Sequence, residues 1–223
     1  RYKDKQIINS CCHCLFYNLL YREINMAKVL FLQDLWIEYY GVMQLSGMLK
    51  KHGHSVDILF DSQQNTLNEI KETKPDLIAY SLMSMQWDWA KSMSVFLKQN
   101  GIQCPQIVGG IHSTMTPDLT IKHDGIDIVC VGEGERAFLE LCNALDKKMD
   151  YTTISNLWVK NGNDIKKNKI RPKLTSDELT ELPFPDRDLY TKYTYFRKYP
   201  FVTFVGSRGC PFKCSFCEVP DVV

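Results

Sequence analysis

Three cysteines near the carboxyl end of the sequence, Cys210, Cys214 and Cys217, stand in a C-x3-C-x2-C pattern. Thiolates are soft ligands, and a tight loop with this spacing can bring three of them onto one metal centre. Structural zinc takes four protein ligands and commonly uses C-x2-C pairs, and a ferredoxin-type site supplies four cysteines per cluster. Three cysteines fit neither unless a fourth ligand lies elsewhere. On a four-iron cluster they would leave one iron open to an exogenous ligand. Val223 follows six residues after Cys217, so most of the machinery using such a centre is expected to lie outside this sequence.

The totals bound what else the chain can be. Its 223 residues can hold one well-buried domain and part of another, and a hydrophobic share of 44% with 24% charged is that of an ordinary globular protein. A net charge of +1 gives no electrostatic argument for nucleic acid or an anionic membrane as partner. The nine cysteines are odd in number and unevenly spread, and Cys130 and Cys142 sit inside apolar runs. That pattern suits a reducing compartment rather than a disulfide framework. No apolar stretch reaches bilayer length, and residues 14–21 make a poor signal peptide, so a cytoplasmic location is expected. Residues 1–25 read as an extension outside the folded domain. Their Cys11-Cys12-His13-Cys14 run has no second ligand pair at zinc-binding spacing.

From Ala27 onward, short apolar runs alternate with segments of helical period. Strands are expected at 28–32, 55–60, 76–81, 106–108 and 126–131, and helices at 40–52, 67–74, 87–99 and 136–147. Gly53, Pro75 and Asn100-Gly101 supply helix stops. Alternation of this kind implies parallel βαβ units with helices on both faces. Residues 26–148 are therefore expected to form a five-stranded, doubly wound parallel α/β sheet of the Rossmann or flavodoxin-like kind, which binds ligands outside the carboxyl ends of its strands. The candidate loops are 33–41, 81–87, 109–117 and 132–135. Residues 149–200 read as a hairpin around Asn161-Gly162-Asn163 and an extended, acidic, proline-bearing linker over 175–188. Phe201 to Val205 read as one more buried strand. A cysteine loop after such a strand suits the catalytic face of a β/α barrel beginning at 201–223.

The aromatic Phe216 before Cys217, and the run Ser207-Arg208-Gly209-Cys210-Pro211-Phe212, add to the cysteine spacing. The segment 201–223 resembles the radical S-adenosylmethionine (SAM) superfamily, whose signature is C-x3-C-x-aromatic-C. The resemblance implies that Cys210, Cys214 and Cys217 hold a [4Fe-4S] cluster, that SAM chelates its open iron and is cleaved to a 5′-deoxyadenosyl radical, and that Phe216 lies beside the adenine. Upstream, Asp34-Leu35-Trp36 after the first strand, Ser81-Leu82-Met83 after the third and Gly109-Gly110 after the fourth are similar to the Asp-x-His, Ser-x-Leu and Gly-Gly segments of cobalamin-binding domains. The run 109–114 and Val131-Gly132-Glu133-Gly134-Glu135 complete a resemblance to the cobalamin-dependent radical SAM group over most of 26–188.

That resemblance implies cobalamin contacts from Asp34, Ser81, Ser84, Gly109, Gly110, His112, Gly132, Glu133 and Gly134. Trp36 stands where a cobalt-ligating histidine would be. An indole has no basic lone pair, so ligation of cobalt from this position is excluded. Glu133 and Glu135 also suit a helix start on electrostatic grounds alone, and His112 reads equally as a loop histidine satisfied by backbone. The implied activity is methyl transfer to an unactivated carbon of a small-molecule substrate, fed by a reducing electron donor such as flavodoxin or ferredoxin. These 223 residues alone are expected to be inactive. Two alternatives stand beside it: a radical SAM enzyme whose first domain has lost cobalamin, and a non-catalytic cobalamin-binding fragment.

Overall fold

Along each of the first strands, successive side chains feed opposite faces of the sheet, and both faces are buried. In β1 (Lys28–Gln33), Val29 and Phe31 enter one core while Leu30 and Leu32 enter the other. The same alternation continues in β3 (Leu77–Ser81) and in β5 (Ile128–Cys130). A strand covered on both sides must be apolar at every position, which is why these runs are continuous. The computed structural model describes residues 26–60, 63–162, 164–198, 200–212 and 214–217; the cysteine–histidine run at 11–14, Asn163 and Lys213 lie outside them.

The helices form the two covering layers. On one side lie α1 (Tyr40–Lys51), through Val42, Met43 and Leu49, and α6 (Glu135–Asp146), through Ala137, Phe138 and Leu141. On the other lie α2 (Gln63–Thr73), α3 (Trp87–Gln99) and α5 (Pro117–Lys122), through Leu67, Ile70, Ala90, Met93, Leu97 and Ile121. With β2 (Ser55–Phe60) and β4 (Gln106–Gly109), the parallel strands take the order β2-β1-β3-β4-β5. The chain first winds to one side of β1 and then to the other, so the crevice where strand order reverses lies between the carboxyl ends of β1 and β3.

Three expectations are corrected. The five parallel strands form, but β6 (Leu157–Asn161) and β7 (Asp164–Lys167) join the same sheet antiparallel, making seven strands. The hairpin thus continues the domain rather than following it, because β6 covers the open edge of β5 and buries Leu157 and Val159. The stretch 175–188 is also not simply extended. Thr175 caps α7 (Ser176–Glu181) in a reciprocal box with Glu178. The short helices α8 (Asp188–Thr191) and α9 (Thr194–Lys198) then pack Leu189, Tyr190 and Phe196 into the first core. Finally, 201–205 form no strand. A strand needs a neighbour for its backbone groups, none is offered among the described residues, and Phe201, Val202, Phe204 and Val205 are exposed.

Candidate cofactor site

At the crevice, the end of β1 is shaped by Gln33. Its buried side chain donates to the carbonyls of Leu35 and Ile37, both at 2.6 Å, and accepts from the Tyr190 hydroxyl at 2.9 Å. The same hydroxyl accepts from Tyr39 N at 3.1 Å, so α8 helps hold the 34–39 turn. Asp34 accepts a hydrogen bond from Gln86 Nε2, whose Oε1 accepts from Met83 N. One glutamine therefore ties the loop after β1 to the loop after β3. Neither Gln33 nor Gln86 carried a signal in the sequence.

The remaining loops continue this linkage around the rim. Leu82 N donates to Gly109 O at 2.9 Å and His112 N donates to Leu82 O at 3.1 Å. Gly110 lies between them at φ 91°, ψ −170°, a region open essentially to glycine alone. The expected loop 109–117 in fact folds into α4 (Ile111–Met115) and the start of α5, with Pro117 at the first turn of α5. Thr114 Oγ1 donates to Gly110 O and accepts from Gly132 N, each at 3.0 Å, joining the loops after β4 and β5. Gly134 is the N-cap of α6, and a Cβ added there would lie 3.4 Å from the Leu45 side chain.

His112 is buried rather than presented to the rim. Its Nδ1 lies 3.2 Å from Ser84 Oγ, its Nε2 lies 3.4 Å from Thr116 Oγ1, and its ring stacks on Trp87 at 4.8 Å. The His112 ring is thus held by two side-chain hydroxyls, those of Ser84 and Thr116, not by backbone. Burial first, and Lys91 second, hold the His112 pKa below its usual value. The unfolded chain then takes up the proton more readily than the folded one, so this residue's contribution is full above the unfolded value, near 6.5, and is lost as pH falls below it. Thermal melts at pH 7.5 and pH 5.5 are expected to differ less for His112→Asn than for the wild type.

Glu133 and Glu135 do more than favour a helix start. Glu133 Oε2 accepts from Leu174 N at 2.8 Å, and its Oε1 lies 3.4 Å from Arg208 Nη1. Arg208 Nη2 donates to Glu135 Oε1 at 2.5 Å. Arg208 precedes Cys210 by two residues, so this pairing seats the start of the cysteine loop at the sheet's carboxyl edge. A cavity of about 190 Å³ between Gly132, Glu133 and residues 170–174 adjoins it, smaller than a pocket for a large organic ligand.

Within the loop itself, Cys210 and Cys214 are exposed, Cys217 is half-buried, and Phe216 is exposed. Cys217 N donates to Cys214 O at 3.1 Å, closing a turn. Among the described residues no three histidine, cysteine or carboxylate side chains are gathered into a metal-holding group; thiolate sites couple metal binding to loop closure. The other described cysteines are poorer ligands. Burial pushes the thiols of Cys130 and Cys142 up to about 12 and that of Cys104 to about 11.

Residues 37–142 match the B12 binding domain family. The chain carries a B12-binding domain. It is 30% identical over 185 residues to an uncharacterized methyltransferase of Pyrococcus horikoshii, covering 80% of this chain and 40% of the relative. To the cobalamin-dependent radical SAM methyltransferase TokK of Streptomyces tokunonensis it is 28% identical over 156 residues, covering 65% of this chain and 22% of the relative. The chain is thus homologous to the cobalamin-dependent radical SAM methyltransferases, while spanning less than half the length of these relatives. The structure of the cobalamin-dependent SAM radical enzyme OxsB with aqua-cobalamin and SAM bound superposes with a TM-score of 0.72 at 20% identity, over 89% of this chain and 29% of that one, a likeness of fold.

The B12-binding domain's own residues fit such a group. Its rim is glycine-marked at 109, 110, 132 and 134, and Ile37, Met83, Met85, Ile111 and Met115 are exposed on the loops after β1, β3 and β4. Exposed methionines of this kind suit a broad, adaptable apolar contact. Trp36 offers no ligand there. Its indole stacks on Phe60 at 4.4 Å and meets the edge of Tyr193 at 5.3 Å, so it fastens the α8–α9 segment to the β2 side of the sheet. No helix among the described residues is long and apolar enough to cross a membrane.

Proposed function

We propose that this chain is the cobalamin-binding portion of a cobalamin-dependent radical SAM enzyme that transfers a methyl group to an unactivated carbon of a small-molecule substrate. The observation that carries the reading is the continuous rim: the loops after β1, β3, β4 and β5 are hydrogen-bonded in series, and the cysteine loop is ion-paired to the last of them. Gly109, Gly110, Gly132 and Gly134 let the backbone approach a broad flat ligand. Ser81 at the end of β3 and the apolar rim would contact it, and Asp34 would act through its bond to Gln86. Cys210, Cys214 and Cys217 would hold a [4Fe-4S] cluster, and the exposed Phe216 would lie beside the SAM that completes it. When bound, these groups supply an organic radical and a transferable methyl group, chemistry that no side chain of the protein provides.

Trp36 favours a second reading, in which the domain keeps the sheet but binds no corrinoid. Titrating the 223-residue chain with hydroxocobalamin separates the two. A saturable change in the corrinoid spectrum at one equivalent is expected, with no nitrogen ligand supplied to cobalt from position 36, because an indole has no basic lone pair. No binding at all would favour the second reading.

A further inference from the structure

Residues 201–217 present their bulky side chains outward: Phe201, Phe204, Phe212 and Phe216 are all exposed. Against that background the Arg208 guanidinium is mostly buried, at 21% exposure, between Glu133 at 20% and Glu135 at 8%. Glu135 is the first residue of α6 and lies 73 residues earlier in the chain. Glu133 simultaneously receives Leu174 N, so a single carboxylate joins the β5–α6 loop, the 170–174 strap and the cysteine loop. A guanidinium presents a rigid fork of donors that a lysine cannot reproduce. Charge-assisted bonds of this type are short and directional. Upstream, Arg187 donates to Thr203 O at 2.7 Å and lies over the Phe204 ring at 4.9 Å, but that contact is six residues or more from Cys210.

We infer that Arg208 is a positioning residue: its fork on Glu133 and Glu135 fixes the cysteine loop against the loop after β5, and so sets how the cluster stands relative to the corrinoid rim. The inference rests on the proposed function and deepens it. Arg208 would act through the two carboxylates and through Gly209 to Cys210. The buried arginine and glutamates also become interdependent, because removing either partner leaves the other charged and desolvated.

The test uses the full-length protein, loaded with cobalamin and with its cluster reconstituted and reduced. Magnetic relaxation of the cob(II)alamin EPR signal by the reduced cluster depends steeply on their separation. Arg208→Met is expected to keep wild-type corrinoid absorbance and iron content, yet lower the relaxation enhancement at least threefold. It should also raise the number of SAM molecules cleaved per methyl transferred by about tenfold. Arg208→Lys should recover part of both, since it keeps the charge and loses the fork. Arg208 is two residues from Cys210; should Arg208→Met lose the cluster itself, Glu135→Gln leaves the loop sequence intact and decides, with the same loss of relaxation enhancement expected. Unchanged relaxation in Glu135→Gln overturns the inference. A wild-type protein that takes up no corrinoid overturns the underlying reading, and the inference with it, and is told apart by its optical spectrum.

Discussion

Replacing Cys214 with alanine in the full-length protein is expected to abolish the iron–sulfur absorbance and SAM cleavage while leaving corrinoid uptake at the wild-type level. The proposed cluster has three protein ligands, so losing one leaves two of its irons without a thiolate. No other cysteine in the described structure can replace it: Cys130 and Cys142 are fully buried in the sheet's first core with thiols held near 12, and Cys104 is part-buried with its thiol near 11. Cys214 itself is exposed, so its truncation creates no cavity and should not shift the melting temperature. The proposed corrinoid rim is built on β1, β3, β4 and β5, and none of its hydrogen bonds passes through Cys214. Iron and sulfide analysis with SAM-cleavage assays on the same sample check the result. Retention of the cluster in Cys214→Ala would overturn the ligand assignment. A loss of corrinoid together with the cluster would mean that the two sites are not built independently.

The parallel sheet was legible because its signals are local. Val29 to Leu32 and Leu77 to Tyr80 are apolar at every position, and that only makes sense for strands covered twice. Gly53 and Gly101 end their helices at φ 90° and 84°, as punctuation in the sequence suggests. What escaped were facts about partners. The 157–167 hairpin could be read from Asn161-Gly162, but nothing local says that β6 lies against β5. Phe201 to Val205 have the composition of a buried strand, yet burial depends on a neighbouring strand that the described residues do not provide. The Thr175–Glu178 capping box is local, its two residues three apart, but Pro183 and Pro185 just beyond it are equally local signals of extended chain. Around the rim, the glycines are local features of the sequence. The pairing of Arg208 with Glu135 is not, since two charges 73 residues apart become a pair only through the fold.

Gly110→Ala is expected to be the most damaging single substitution on the rim. The glycine sits at φ 91°, ψ −170°, where a side-chain-bearing residue costs about 1–3 kcal/mol in backbone strain. A Cβ built there would lie 2.8 Å from both the N and the O of Leu82. These are backbone atoms and cannot swing aside like the tip of a side chain. They are also the atoms that make the two loop bonds: Leu82 N donates to Gly109 O, and Leu82 O accepts from His112 N. Relieving the clash means opening at least one of those bonds, at about 1 kcal/mol each. The sum, roughly 3 kcal/mol, corresponds to a fall in melting temperature of about 6–12 °C for a domain of this size. Thr114 Oγ1 hangs from Gly110 O and holds Gly132 N, so the displacement should spread to the loop after β5 and weaken hydroxocobalamin binding at least tenfold. Gly41→Ala is the matched control. It lies in the first turn of α1 with nothing within 4 Å of the added atom, and alanine there should stabilise by about 0.5–1 kcal/mol. A Gly110→Ala protein that melts with the wild type and binds hydroxocobalamin equally well would show that the rim does not depend on this close approach.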